Sequence, residues 1–288
     1  MRVNRSRLQT LPRLNSLGIA GLLGLLAGCD AVVIERRAPL FMTPLSIDGS
    51  SVGDAIIDTG GGYEIILRES FGLELTDTVE VLAFGGREHV AVTEPFAYRV
   101  NEFPGDADFA LVGLSVCECN GVGFHFFRRN GLVLSLDYST MSAEFQPAVS
   151  GETEGITLPF AEPPPALADF DTAFIELTVQ SGGESRRMVG LLDTGSNGTI
   201  IRRGLFAPDP TLPTDRQDLL IARPEWGTVA VRATLFDTPG LPDLIIGTDV
   251  MAAWSDRWEF SYASTGGEVI VYPRPDNSGA VPTGPILP

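Results

Sequence analysis

Asp58-Thr59-Gly60 and Asp193-Thr194-Gly195 each follow a short run of apolar residues, Ala55-Ile56-Ile57 in one case and Leu191-Leu192 in the other. A carboxylate set directly after a buried strand lies at the edge of a core, where desolvation raises its pKa unless something compensates. Two such sites related by approximate two-fold symmetry can meet and share one proton, because like charges about 3 Å apart do not both ionise. The pair then holds one acid and one base at a single pH, which is what general acid–base catalysis on a water molecule requires. Gly60 and Gly195 let the backbone turn tightly and bring amide N–H groups toward the carboxylates. Thr59 and Thr194 offer hydroxyls for hydrogen bonds across the axis, and Ser196 offers one to Asp193. Gly61 stands where the second copy has Ser196. Asp58 is therefore expected to lack a hydroxyl donor and to be the more easily protonated member, with Asp193 charged.

Positioning two such loops takes a repeated unit, and the chain reads as one. Leu111-Val112-Gly113 follows Asp58 by 55 positions, and Ile245-Ile246-Gly247 follows Asp193 by 54. Each copy continues through an apolar stretch, residues 132–138 and 258–262, and closes with a strand near 143–145 or 268–272. The first copy carries about ten extra residues around Cys117 and Cys119, read as a surface loop. Within a copy, short apolar runs flank Gly-rich turns, so strands dominate. Helices are expected to be few and short, near 124–130 and 250–254. Residues 151–170, with Pro159, Pro163, Pro164 and Pro165, read as an extended linker. The organisation predicted is a leader over 1–28, a tether over 29–38, lobes over 39–150 and 171–275, and a tail over 276–288.

Apolar-apolar-Asp-Thr-Gly followed by apolar-apolar-Gly, twice in one chain, resembles the pepsin-like and retropepsin-like aspartic proteases. The resemblance covers roughly residues 40–275. It implies a mostly β, two-lobed fold of the double-psi, acid-protease barrel type, with a cleft between lobes where Asp58 and Asp193 activate a water to attack a peptide carbonyl. It implies a peptide or protein substrate, no metal and no organic cofactor, and a monomer that is an intramolecular pseudo-dimer. It also implies a β-hairpin flap, for which Phe84, Gly85 and Gly86 have the expected offset and turn residues; residues 222–227 occupy the equivalent place in the second copy. The alternative function is a non-catalytic peptide-binding or partner-binding protein on the same fold.

Charge and composition set the surroundings. With 288 residues, 44% of them hydrophobic and 20% charged, the chain is ordinary globular material, and its 32 Gly and 21 Pro disfavour long helices. The net charge is −17, and every one of the 20 basic residues is Arg. Such a chain repels phosphate backbones, so no nucleic-acid partner is expected. His89 and His125 stand in no zinc-ligand spacing. Residues 2–13 are basic, 17–27 are apolar, and Leu26-Ala27-Gly28-Cys29 resembles the lipobox of bacterial lipoproteins. That resemblance implies a lipidated Cys29 and a membrane-tethered protein of the bacterial cell envelope facing the periplasm, at the inner or outer membrane. Cys117 and Cys119 then remain, as a disulfide in an oxidising compartment or as two thiols; the bridge is the reading taken. The paired arginines, Tyr138, Tyr262, Phe126 and Phe127 read as surface or core residues without chemistry.

Overall fold

The computed structural model describes residues 40–83, 86–115, 118–147, 155–167, 172–262 and 267–272. The leader with Cys29, and Cys117, lie outside the described residues. The chain opens with the antiparallel pair β1 (Met42–Ile47) and β2 (Ser50–Asp58), joined by Asp48-Gly49. Both turn residues have positive φ, 48° and 80°. That is the two-residue hairpin turn whose twist matches the strands, and it favours Asp-Gly. The second half opens the same way, with β13 (Phe174–Ser181) and β14 (Glu184–Leu192) joined by Gly182-Gly183 at φ 56° and 85°. Alternation sets the faces: Thr43, Leu45 and Ile47 point inward from β1, as do Phe96, Tyr98 and Val100 from β6 (Phe96–Val100).

The remaining N-terminal strands are β3 (Ile65–Leu67), β4 (Leu75–Ala83), β5 (Gly86–Thr93), β7 (Phe103–Ala107), β8 (Leu111–Val112) and β9 (Asn120–Gly123). They form a nine-stranded sheet in the order β4-β5-β8-β3-β9-β2-β1-β6-β7. The C-terminal lobe adds β15 (Ile200–Arg202), β16 (Arg216–Arg223), β17 (Gly227–Phe236) and β18 (Leu244–Ile246), which close a barrel in the order β13-β14-β18-β15-β17-β16. Closure comes from β13 pairing with β16 at Thr178–Gln180. In the first lobe the equivalent stretch of β1, Leu45–Ile47, pairs instead with β6, a strand of the additional β6–β7 hairpin. Strand β4 is thereby left as an open edge among the described residues.

A third sheet joins the lobes. It takes β10 (Leu132–Asp137) and β11 (Ser142–Pro147) from the first half, and β19 (Arg257–Ser261) and β20 (Glu268–Tyr272) from the second, in the order β11-β10-β19-β20-β12. Its central pair runs from Val133↔Ser261 to Asp137↔Arg257. The edge strand β12 (Ile156–Pro159) comes from the stretch read as a linker and pairs with β20. The fold is thus mostly β and two-lobed; among the described residues it has two short helices, α1 (Phe124–Arg129) and α2 (Thr248–Trp254), and one 3-10 turn at Pro165–Leu167.

One correspondence drawn from spacing is corrected by the strand pairing. Beside β14 runs β18, parallel, with Leu191↔Ile245 and Leu192↔Ile246. Beside β2 runs β9, also parallel, with Ile56↔Gly121 and Ile57↔Val122. The counterpart of Ile245-Ile246-Gly247 is therefore Gly121-Val122-Gly123, not Leu111-Val112-Gly113. Gly123 and Gly247 both precede a helix in extended conformation, φ −89° and −83°, whereas Gly113 has φ 72°. Leu111 and Val112 instead pair with β3, in the place that Thr234 and Leu235 hold beside β15. The extra residues of the first copy thus precede its glycine motif, and the near-equal spacing arose from a strand of a different role.

Candidate active site

Asp58 ends β2 and Asp193 follows β14, so two buried strands deliver the carboxyls to one seam. Both residues are fully buried, as are Thr59 and Thr194. The two loops interlock. The Thr59 amide donates to Thr194 Oγ1 at 3.0 Å, and the Thr194 amide donates to Thr59 Oγ1 at 3.1 Å. Each hydroxyl in turn donates across the seam, Thr59 Oγ1 to the Leu192 carbonyl at 2.8 Å and Thr194 Oγ1 to the Ile57 carbonyl at 2.7 Å. Buried amides and carbonyls are costly when unpaired, so this reciprocal set holds the loops in one relative position. An additional bond from Thr172 Oγ1 to the Thr59 carbonyl, 2.6 Å, ties in the residues leading to β13.

The glycines act through backbone amides and through lack of bulk. Gly60 N–H donates to Asp58 Oδ1 at 3.0 Å, and Gly195 N–H to Asp193 Oδ1 at 2.9 Å. A Cβ on Gly60 would stand 2.5 Å from Asp193 Cγ, and one on Gly195 would stand 2.6 Å from Asp58 Cγ. Each carboxyl therefore packs on the glycine of the other loop, an approach no other residue permits.

Two expectations fail here. Ser196 does not donate to Asp193: its hydroxyl bonds to the Gly198 carbonyl at 2.7 Å, so only its backbone amide favours the Asp193 carboxylate. Asp58 does not lack a hydroxyl, because Tyr63 Oη donates to its Oδ2 at 2.7 Å. The proton assignment reverses accordingly. Burial raises the Asp58 carboxyl to about 6, with Asp193, Tyr63 and the Gly60 and Gly61 amides pulling it down. Burial pushes Asp193 well above the usual carboxylate range, and the charge on Asp58 pushes it further. Near neutral pH the pair therefore holds one proton, on Asp193, with Asp58 ionised. Tyr63 was missed in the sequence because it stands five residues past Asp58, where the second copy has Gly198.

Of the candidate flap, Phe84 and Gly85 lie outside the described residues, while Gly86 opens β5 opposite Ala83. The hairpin β4–β5 reaches the other lobe, since a Cβ on Gly240 would stand 2.9 Å from Leu82 Cδ2. The equivalent hairpin β16–β17 turns inward. Trp226 at its tip is buried, with ring centroids 5.2 Å from Trp254 and 5.0 Å from Trp258. That anchor holds β16–β17 against α2 and β19. Cys119 is disulfide-bonded. His89 and His125 are exposed, and Phe126, Phe127 and Tyr262 are core. Among the described residues no group of three or more His, Cys, Asp or Glu is placed to hold a metal ion.

No protein-family model matches the chain, and no curated protein matches it in sequence. Among solved structures it is similar to the aspartic proteinase from Irpex lacteus, with a TM-score of 0.51 at 12% identity, over 84% of this chain and 96% of that one. At that identity the likeness is one of fold: the chain has a pepsin-like, two-lobed architecture with Asp58 and Asp193 at the seam between its lobes.

Proposed function

We propose that the protein is an aspartic endopeptidase in which Asp58 serves as base and Asp193 as acid, acting on a peptide bound in extended form between the lobes. What supports this most is a single observation: two fully buried carboxyls meet at the seam, each packed on the glycine of the opposite loop, and burial raises both. A water between them would lose a proton to Asp58 as its oxygen attacks the peptide carbonyl carbon. Asp193 would give its proton to the carbonyl oxygen, forming a gem-diol. Collapse breaks the C–N bond, the proton on Asp58 passes to the leaving nitrogen, and Asp193 regains one from a diol hydroxyl. None of these steps calls on a metal or cofactor. Since both carboxyls are fully buried, a substrate reaches them only when the seam opens. The non-catalytic alternative is motivated by Gly61 and by the lack of a tyrosine in the candidate flap, and the Tyr63 hydroxyl answers the first of these.

The test is digestion of a peptide library at mildly acidic and neutral pH, with and without a pepstatin-type inhibitor. Parent protein is expected to cleave and to be inhibited, and Asp58→Asn or Asp193→Asn to lower the rate by roughly 10²–10⁴-fold or more. Cleavage that survives either substitution would end the protease reading. We further propose that a lipidated Cys29 tethers the enzyme to an envelope membrane facing the periplasm. Cys29→Ser is expected to move the protein from the membrane to the soluble fraction.

A further inference from the structure

We infer that Tyr63 is the positioning residue that decides which member of the pair is the base: seated in a slot framed by glycines, its hydroxyl is the donor that keeps Asp58 ionised. This deepens the proposed reading of Asp58 and Asp193 as an acid–base pair and rests on it for its catalytic consequence.

The argument starts from asymmetry between two loops that otherwise match. Aligning the aspartates sets Gly61 against Ser196 and Tyr63 against Gly198. The strand registers Ile56↔Gly121 and Leu191↔Ile245 set Gly121 against Ile245. The equivalence is independently marked by matching backbone bonds, from the Phe124 amide to the Gly61 carbonyl and from the Thr248 amide to the Ser196 carbonyl. At all three pairs of positions, one lobe is small where the other is larger. A Cβ on Gly61 would lie 2.3 Å from the Tyr63 ring, and one on Gly121 would lie 2.6 Å from its hydroxyl. The first lobe has thus cleared the volume that Ile245 fills in the second, and a phenol ring stands in it.

The chemical result is equally one-sided. Asp58 receives a side-chain hydroxyl at 2.7 Å. The Ser196 hydroxyl turns to the Gly198 carbonyl, and Asp193 Oδ2 is buried without a donor among the described residues. A donor to the charged form favours it, and the carboxyl that receives only backbone amides retains the proton. Tyr63 keeps its proton and donates it to the Asp58 carboxylate, because burial and the neighbouring carboxyls hold its phenol well above its ordinary range. The ionisable groups acting on Asp58 are Asp193 from the opposite loop and Tyr63 from its own. Strand β9, packed against Tyr63, presents Gly121 and Gly123.

The test combines the pH profile of kcat/KM with ¹³C NMR titration of the Asp58 carboxyl in the free protein, so that one readout is independent of turnover. Tyr63→Phe keeps the ring and removes the donor; the acidic limb and the Asp58 titration are expected to move up by about one pH unit. 3-Fluorotyrosine at position 63, a stronger donor, is expected to move both down. Should Tyr63→Phe not fold, Gly121→Ala displaces the hydroxyl and is expected to give the same upward shift. An unmoved Asp58 titration in a folded variant overturns the inference, even if both aspartate variants abolish cleavage. A shifted titration in a protein that cleaves nothing upholds it and removes the protease reading instead.

Discussion

Two carboxyls buried at one seam make folding depend on pH, and the sign follows from the direction of their shifts. In the unfolded chain an aspartate loses its proton near 3.8, whereas folded Asp58 holds it to about 6 and folded Asp193 to higher pH still. The stability these groups contribute is complete below about pH 4 and is lost as pH rises through their folded values. For Asp58 the loss between pH 4 and 6 is on the order of 3 kcal/mol. Thermal melts across that range are expected to show Tm falling, and Asp193→Asn is expected to flatten the part of the slope that continues above pH 6. A second prediction concerns Gly61. Gly61→Ser would set a Cβ against the Tyr63 ring and 2.6 Å from Asp58 Oδ2. It is expected to destabilise by about 1–3 kcal/mol in denaturant titrations, with partial relief when Tyr63→Gly is combined with it.

Between the residues and the lobes stand the loops and hairpins that hold them. The four hydrogen bonds of Thr59 and Thr194 form one closed set across the seam. Thr59→Val keeps the shape and leaves the Thr194 amide and the Leu192 carbonyl unpaired, at a cost of about 1–3 kcal/mol. Thr194→Val is expected to behave alike. The double variant should fall short of the sum, which a double-mutant cycle by chemical denaturation measures. The two long hairpins differ for a physical reason. Strand β16 is claimed along one edge by β13, and its tip is pinned by Trp226 under Trp254 and Trp258. Strand β4 has no such partner, because the β6–β7 insertion occupies the strand that would have closed on it. Trp226→Ala is expected to lose about 3–5 kcal/mol of stability, read from the urea midpoint.

At the level of the molecule, the β10–β19 pairing joins the lobes through a shared third sheet, and a dyad shared between lobes is assembled only when both are folded. All three tryptophans lie in the C-terminal half. Their fluorescence therefore reports that half, while far-UV circular dichroism reports every strand. The two unfolding curves are expected to coincide. A fluorescence transition separated from the dichroism transition would mean that the lobes unfold independently and that the inter-lobe sheet couples them weakly.

How much was legible in the sequence follows from how local each feature is. Strand content, the hairpin turns and the two carboxyls rest on short-range patterns: apolar runs, Gly-rich turns and a repeated Asp-Thr-Gly, whose physics acts within a few residues. The helices near 124–130 and 250–254 were legible for the same reason. Pairing partners were not. The glycine motif was assigned to Leu111-Val112-Gly113 because its apolar letters matched, whereas Gly121-Val122-Gly123 had exchanged its apolar residue for room beside Tyr63. The proton assignment failed with it, since a donor five residues away, aimed by a ring in a three-glycine slot, leaves no mark in the motif itself. The amino-acid order alone established a β-rich repeat carrying two acidic loops. Which strand lies beside which, which hairpin stays free and which carboxyl keeps the proton were decided by tertiary packing, because each depends on contacts between residues tens of positions apart.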